Sequence, residues 1–143
     1  MGNPRTITSL QAPVSQAMAS VPIEIHVHLS IAEAAALMAE NDIGASPVLL
    51  DNSARDLAGI ISERDIVRSL ADDGDPNDER VSDWMSVDLS TVTPDTTIEV
   101  ATELMLEGGM RHLPVVETVG GHRKVVGMIS VRDLLAAYRS VPE

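Results

Sequence analysis

At 143 residues the chain has the length of one ordinary domain, enough to bury roughly two-thirds of its unfolded surface, and having no cysteine it builds no disulfide or thiolate zinc site. The formal net charge of −12 works against extended nucleic-acid binding, which rests on many Lys and Arg contacts to phosphate, and with no Phe, one Trp (Trp84) and one Tyr (Tyr138) there is no aromatic stacking platform. No apolar run approaches the ~18 residues of a membrane span and no basic-then-apolar leader opens the chain, so a cytoplasmic protein is expected.

Residues 1–13 read as an N-terminal arm. Gly2 and Thr6 match the N-myristoylation pattern in form, but Pro4 falls inside it and acylation is not expected. From residue 14 the chain says the same thing twice. Val14, Ser15, Met18, Ile31, Ala34, Leu37, Met38, Glu40, Pro47 and Val48 recur 67 positions on, as Val81, Ser82, Met85, Ile98, Ala101, Leu104, Met105, Glu107, Pro114 and Val115. Past one inserted residue, Gly59, Ile61, Ser62, Arg64 and Asp65 recur as Gly127, Ile129, Ser130, Arg132 and Asp133. The repeats span 14–70 and 81–139, with an acidic linker at 71–80 and a tail at 140–143. A duplicated supersecondary unit implies a pseudo-twofold arrangement that reuses one site design.

In chain order, an extended piece at Ile23 to Val27 leads into a helix. Ser30 and Glu33 have capping-box spacing, and Ile31, Ala34, Ala35 and Met38 form a core-facing stripe. Two apolar runs follow, Pro47 to Leu50 and Leu57 to Ile61, separated by a polar turn and read as a hairpin with Pro at the strand's start. Ser62 then opens a second helix with Ile66, Val67 and Leu70 on its apolar side. In the linker, Asp73, Asp75 and Asn77 imitate a calcium loop, but Asp78 and Trp84 stand where Gly and Glu are needed, so a solvated loop is expected.

The second copy repeats the order. An extended piece at Thr91 to Thr93 precedes a helix with Thr96 and Glu99 as its cap pair and Ile98, Ala101, Thr102 and Met105 as its stripe. Asn41 and Gly108 are the expected left-handed ends of the two first helices. Strands at Pro114 to Val116 and Val125 to Ile129 precede a helix opened by Ser130, with Leu134, Leu135 and Tyr138 apolar. The methionines fall mostly on repeat-equivalent apolar positions and are expected in the core or a dimer contact. The fold class is α/β (α+β), two tandem β-α-β-β-α repeats.

The chemistry gathers at Gly59-Ile60-Ile61-Ser62-Glu63-Arg64-Asp65 and Gly127-Met128-Ile129-Ser130-Val131-Arg132-Asp133. A Ser N-cap with an acidic third residue is what a helix start prefers even without a ligand. The same start offers free N–H groups to an anion and a carboxylate to a pair of sugar hydroxyls. Arg111 and His112 precede the second Pro-led strand and are candidates for phosphate, whereas Gly44 and Ala45 carry no charge at the matching place. His26 and His28 suggest the metal pair of a hydrolase barrel, for which the chain is too short. Ser130, His112 and Asp133 could be drawn as a triad, but the strained Gly-x-Ser-x-Gly elbow is missing.

These residues resemble a tandem pair of CBS (cystathionine β-synthase) domains, the Bateman module, over about residues 14 to 139. The resemblance rests on the two Gly-h-h-Ser-x-x-Asp segments (h apolar), the strand entries Gly44-Ala45-Ser46-Pro47-Val48 and Arg111-His112-Leu113-Pro114-Val115, and the lead-in Thr91-Val92-Thr93-Pro94. It implies a non-catalytic regulatory module binding AMP, ADP, ATP, NAD or S-adenosylmethionine in clefts between the repeats, with no required cofactor or metal. It also implies a disc-like homodimer that acts on a protein partner in trans, without nucleic acid or membrane. By matching position, Asp65 and Asp133 would hold ribose hydroxyls and Ser62 and Ser130 would contact ribose or phosphate. Ile25, Val27, Ala45 and Ser46, or Val92, Thr93, Met110, Arg111 and His112, would line the base and phosphate pockets. The first lead-in departs from the pattern, with Ile25-His26-Val27-His28 against Val92-Thr93-Pro94-Asp95. The alternative is a dimerisation or interaction module without nucleotide.

Overall fold

The computed structural model describes residues 7–50 and 55–142, so the acylation pattern at Gly2 and most of the first polar hairpin turn lie outside the described residues. The chain divides into two compact units. The Asp65 unit holds described residues 21–50, 55–89 and 118–125, and the Asp133 unit holds 7–20, 90–117 and 126–142.

In the Asp65 unit, β1 (Ile25–His26) lies parallel to β2 (Ala45–Leu49), with Ile25 opposite Val48. The antiparallel β3 (Leu57–Ser62) pairs on the other side, with Ala45 opposite Ser62. As the central strand, β2 is buried at all five positions, while β3 buries only Leu57, Gly59 and Ile61, the period-2 pattern of a sheet with one covered face. Helix α1 (Ile31–Glu40) starts at the expected capping box: Glu33 N–H donates to Ser30 Oγ at 3.0 Å and Ser30 N–H to Glu33 Oε1 at 3.1 Å. That backbone bond from Ser30 holds the Glu33 carboxyl below the usual carboxylate range. Ile31, Ala34 and Met38 of α1 join Ile25, Val48, Ile61 and Val81 in the core, with Val81 supplied by the short helix α3 (Val81–Trp84). Between β3 and α3 lies α2 (Glu63–Ala71).

In the Asp133 unit, α4 (Ile98–Gly108), residues 112–117 of the hairpin strand β4 (His112–Val119) and 126–130 of β5 (His122–Ser130), and α5 (Val131–Ser140) build the same pattern. Here Val92 makes the parallel bridge, to Val115. The core gathers Val14, Ile98, Leu113, Val115, Ile129 and Leu134. Val14 comes from the 3-10 turn Val14–Gln16, so the segment opening the first repeat packs among residues of the second. Its backbone bonds are Val14 N–H to Thr96 carbonyl, Ser15 N–H to Pro94 carbonyl and a reciprocal pair between Ala19 and Met128. Their counterparts, Val81 to Leu29, Ser82 to Val27 and Ser86 with Ile60, recur inside the Asp65 unit.

Four local expectations are corrected. The N-cap of α4 is Thr97, whose Oγ1 accepts from Val100 N–H at 3.1 Å; Thr96 Oγ1 accepts from Thr93 N–H and Glu99 bonds the Gln11 side chain. The left-handed residues are Asp42 (φ 54°) and Gly109 (φ 66°), each one place later than expected, because α1 and α4 run through Glu40 and Gly108. Asn41 instead donates its side-chain amide to the Leu37 carbonyl at 2.8 Å. Both second-repeat strands are longer than the apolar runs suggest, and glycines at positive φ, Gly120 and Gly121, form their two-residue turn. Pro47 and Pro114 stand third in their strands rather than first. The interior proline is tolerated in β2 because Ile60 opposite it turns both backbone groups toward Ser86, at 3.0 and 2.9 Å. Nothing on β3 needs the missing N–H, and β1 begins only opposite Val48.

The glycine heading each repeated segment is explained by the same crossings. A Cβ on Gly59 would sit 2.6 Å from the Ser86 carbonyl oxygen, and one on Gly127 would sit 2.8 Å from Met18 Sδ and 3.0 Å from the Ala19 carbonyl oxygen. Gly59→Ala therefore pushes two backbone segments apart, with an expected loss of about 1–3 kcal/mol read from urea unfolding midpoints.

Candidate functional site

The repeated Ser-x-x-Asp segment sits at the junction of a strand end and a helix start in each unit. In the Asp133 unit, Ser130 N–H and Oγ–H donate to Asp133 Oδ2 at 2.8 and 2.9 Å, and Asp133 N–H donates to Ser130 Oγ at 3.1 Å. The next N–H of α5, on Val131, donates to the Arg111 carbonyl at 2.9 Å and ties the Arg111-His112 strand entry to the helix N-terminus. One carboxylate oxygen is thus spent on orienting Asp133. Oδ1 has no hydrogen-bond partner among the described residues, and the side chain keeps partial exposure.

Arg111 is exposed and His112 half-buried. Burial lowers the His112 pKa, the nearby Asp133 carboxylate opposes that shift, and Arg111 adds to it. His112 therefore lies within electrostatic reach of both groups. Val92 is buried beside β4, bonding through its N–H to the Pro114 carbonyl, while Thr93 is exposed. Met110 lines an apolar groove of about 610 Å³ between α4 and α5 with Leu106, Leu135 and Tyr138.

The Asp65 unit repeats the backbone of this site with different side chains. Ser62 N–H and Oγ–H donate to Asp65 Oδ2 at 2.8 and 2.9 Å, and Glu63 N–H donates to the Gly44 carbonyl at 2.9 Å. Asp65 is 5% exposed, and its Oδ1 lies 3.7 Å from Arg68 Nη1. Ile25, Ala45 and Ser46 are buried, with Ser46 Oγ–H turned onto the Pro47 carbonyl at 3.0 Å, and Val27 is partly exposed. Sequence reading missed Arg68. Its signal was a cation three residues after Asp65, one turn along the same helix face, replaced by Ala136 in the second copy.

Chemically, each unit presents a preoriented carboxylate at a helix N-terminus whose first N–H is bonded to the strand-entry carbonyl and whose third is bonded to the capping serine Oγ. Ser130 Oγ–H donates its hydrogen bond to Asp133, so the drawn triad is instead a capping box. At the strand entry the Asp133 unit carries a guanidinium and an imidazole, Arg111 and His112, where the Asp65 unit has Gly44 and Ala45.

A family model described as CBS domain matches residues 14–72 and again 81–140. An uncharacterised 17.7 kDa protein of Acidianus ambivalens is 39% identical over 128 residues, covering 90% of this chain and 74% of that protein. The mitochondrial CBS domain-containing protein CBSX3 of Arabidopsis thaliana is 33% identical over 111 residues; the match covers 76% of this chain and 52% of that protein, so the chain spans about half its length. Among solved structures, the CBS domain pair of protein MJ0100, in complex with 5′-methylthioadenosine and S-adenosyl-L-methionine, matches with a TM-score of 0.77 at 25% identity, covering 90% of this chain and 96% of that one. Two matched copies, each carrying its own sheet, helix pair and serine-opened helix, establish that the chain belongs to the CBS domain family.

Proposed function

We propose that this chain is a non-catalytic regulatory module whose Asp133 unit binds an adenosine-containing ligand bearing phosphate, AMP, ADP or ATP, and relays its occupancy through a cytoplasmic homodimer to a protein partner. The observation that carries the reading is Asp133 itself, with Oδ2 fixed by Ser130 and Oδ1 left to accept sugar hydroxyls. Arg111, His112 and the positive end of the α5 helix dipole supply positive potential for phosphate in an otherwise acidic chain. The adenosyl compounds in the MJ0100 complex support the ligand class. Dimerisation is supported by the exposed apolar side chains of α4 and α5: Leu106 is 79% exposed and Leu135 60%.

Thermal-shift measurement with AMP, ATP, NAD, S-adenosylmethionine and adenosine tests the reading. A ligand at 100 times its dissociation constant adds about 2.7 kcal/mol of stability. The absence of a shift with every compound would favour the interaction module without nucleotide, which the apolar groove between α4 and α5 suits.

Replacing Arg111 and His112 together by Ala is expected to weaken AMP and ATP about tenfold or more while changing adenosine little, since each charged hydrogen bond to phosphate contributes about 1.5–3 kcal/mol. The difference has a pH signature. His112 starts with a lowered pKa, a bound phosphate favours its charged form, and binding takes up a proton. AMP binding therefore tightens as pH falls toward the lowered pKa of free His112, below the ordinary histidine value, and titration calorimetry in the double variant should lose that slope.

A further inference from the structure

We infer that Arg68 closes the Asp65 unit to sugar ligands, so that each chain takes up one adenosyl ligand, at Asp133, in spite of having two serine-opened helices. This rests on the ribose role proposed for Asp133. The two carboxylates share one backbone design, and the difference lies in what meets the second oxygen. Asp133 Oδ1 is free of hydrogen bonds among the described residues, whereas Asp65 Oδ1 faces the Arg68 guanidinium at 3.7 Å. The Asp65 side chain is 7% exposed and that of Arg68 62% exposed, so the pair runs from a nearly dry carboxylate to a solvated cation.

A sugar entering there must displace Arg68 and leave its charge unpaired by Asp65. Exposed ion pairs resist this weakly and buried ones strongly; a pair with one buried end lies between, enough to weaken sugar binding by at least about tenfold. Among the described residues, the strand entry does not offset the loss. Gly44 and Ala45 stand where Arg111 and His112 stand in the other unit, and Ser46 is buried with its hydroxyl engaged by Pro47. Sequence position 136, the counterpart of 68, is Ala136, exposed and too short to reach Asp133.

Titration calorimetry with AMP, ATP and S-adenosylmethionine on the full chain tests the inference. The wild type is expected to bind one equivalent per chain and Arg68→Ala two, the second weaker. In the reciprocal experiment Ala136→Arg places the same latch in the Asp133 unit and is expected to weaken binding about tenfold, while Ala136→Gln, polar and extended but uncharged, leaves it nearly unchanged. Circular dichroism confirms that each variant folds. Two equivalents in the wild type would overturn the latch and leave the proposed function standing. One equivalent in Arg68→Ala, or equal effects of Arg and Gln at position 136, would also overturn it. No binding of any of the three ligands to the wild type would remove the proposed function itself, and this inference with it.

Discussion

Asp133→Ala weakens AMP binding roughly ten- to a hundredfold or more, read by titration calorimetry at constant pH. The magnitude follows from the loss of hydrogen bonds between a charged acceptor and two hydroxyls, about 1.5–3 kcal/mol each. The variant also removes the third-position acceptor of the capping box at Ser130, so helix α5 loses the bonds that Ser130 N–H and Oγ–H make to Oδ2 at 2.8 and 2.9 Å. Asp133→Asn separates the two effects: it keeps a side-chain oxygen near Ser130 and removes the charge. Binding that falls in both variants, with only Asp133→Ala losing stability, assigns the carboxylate to the ligand. Unchanged affinity in Asp133→Ala would remove the residue from the site.

Leu113→Ala carries the largest expected stability loss, about 2–5 kcal/mol, because a fully buried leucine leaves both lost transfer energy and a cavity. Leu113 has 0% exposure and packs in the cluster of Val14, Ile98, Val115, Ile129 and Leu134. It also directly follows His112, so loosening this position frees the strand entry that the Val131 N–H holds through the Arg111 carbonyl. Val87→Ala is the control: Val87 is 66% exposed, and its truncation is expected to stay within about 0.5 kcal/mol. A chemical-denaturation series in which the two variants are equally destabilised would contradict the placement of Leu113 in the core.

Helices and hairpins were legible because their determinants are local. Ser30 with Glu33, and Ser62 and Ser130 with their aspartates, cap the helices whose stripes follow them. Where local signals compete, the reading slipped by a residue. Thr96 and Thr97 are both good caps, and only the position matching Ser30, 67 residues earlier, takes the role. Pro47 marked a strand without revealing that it lies inside one, since whether a missing N–H matters depends on where the neighbouring strand ends. At the site, Ser130, Asp133, Arg111 and His112 share one local neighbourhood because the α5 start and the β4 entry are hydrogen-bonded neighbours. Met110, expected from the resemblance to line the base pocket, also lines the α4–α5 groove. The pairing of Arg68 with Asp65 is visible in spacing only as a possibility; burial of the carboxylate is what gives it weight.

From sequence alone came the duplication, the helix caps, the hairpins and the two serine–aspartate segments, because a repeat leaves its periodicity and turn chemistry in the order of residues. Tertiary structure alone decided which copy each opening segment serves. Val14 packs with Ile98 and Ile129, and Val81 with Ile31 and Ile61. Two copies that present the same groove accept the same apolar segment equally well by pattern, so periodicity is silent on the choice; only the path of the chain and the burial of particular side chains make it.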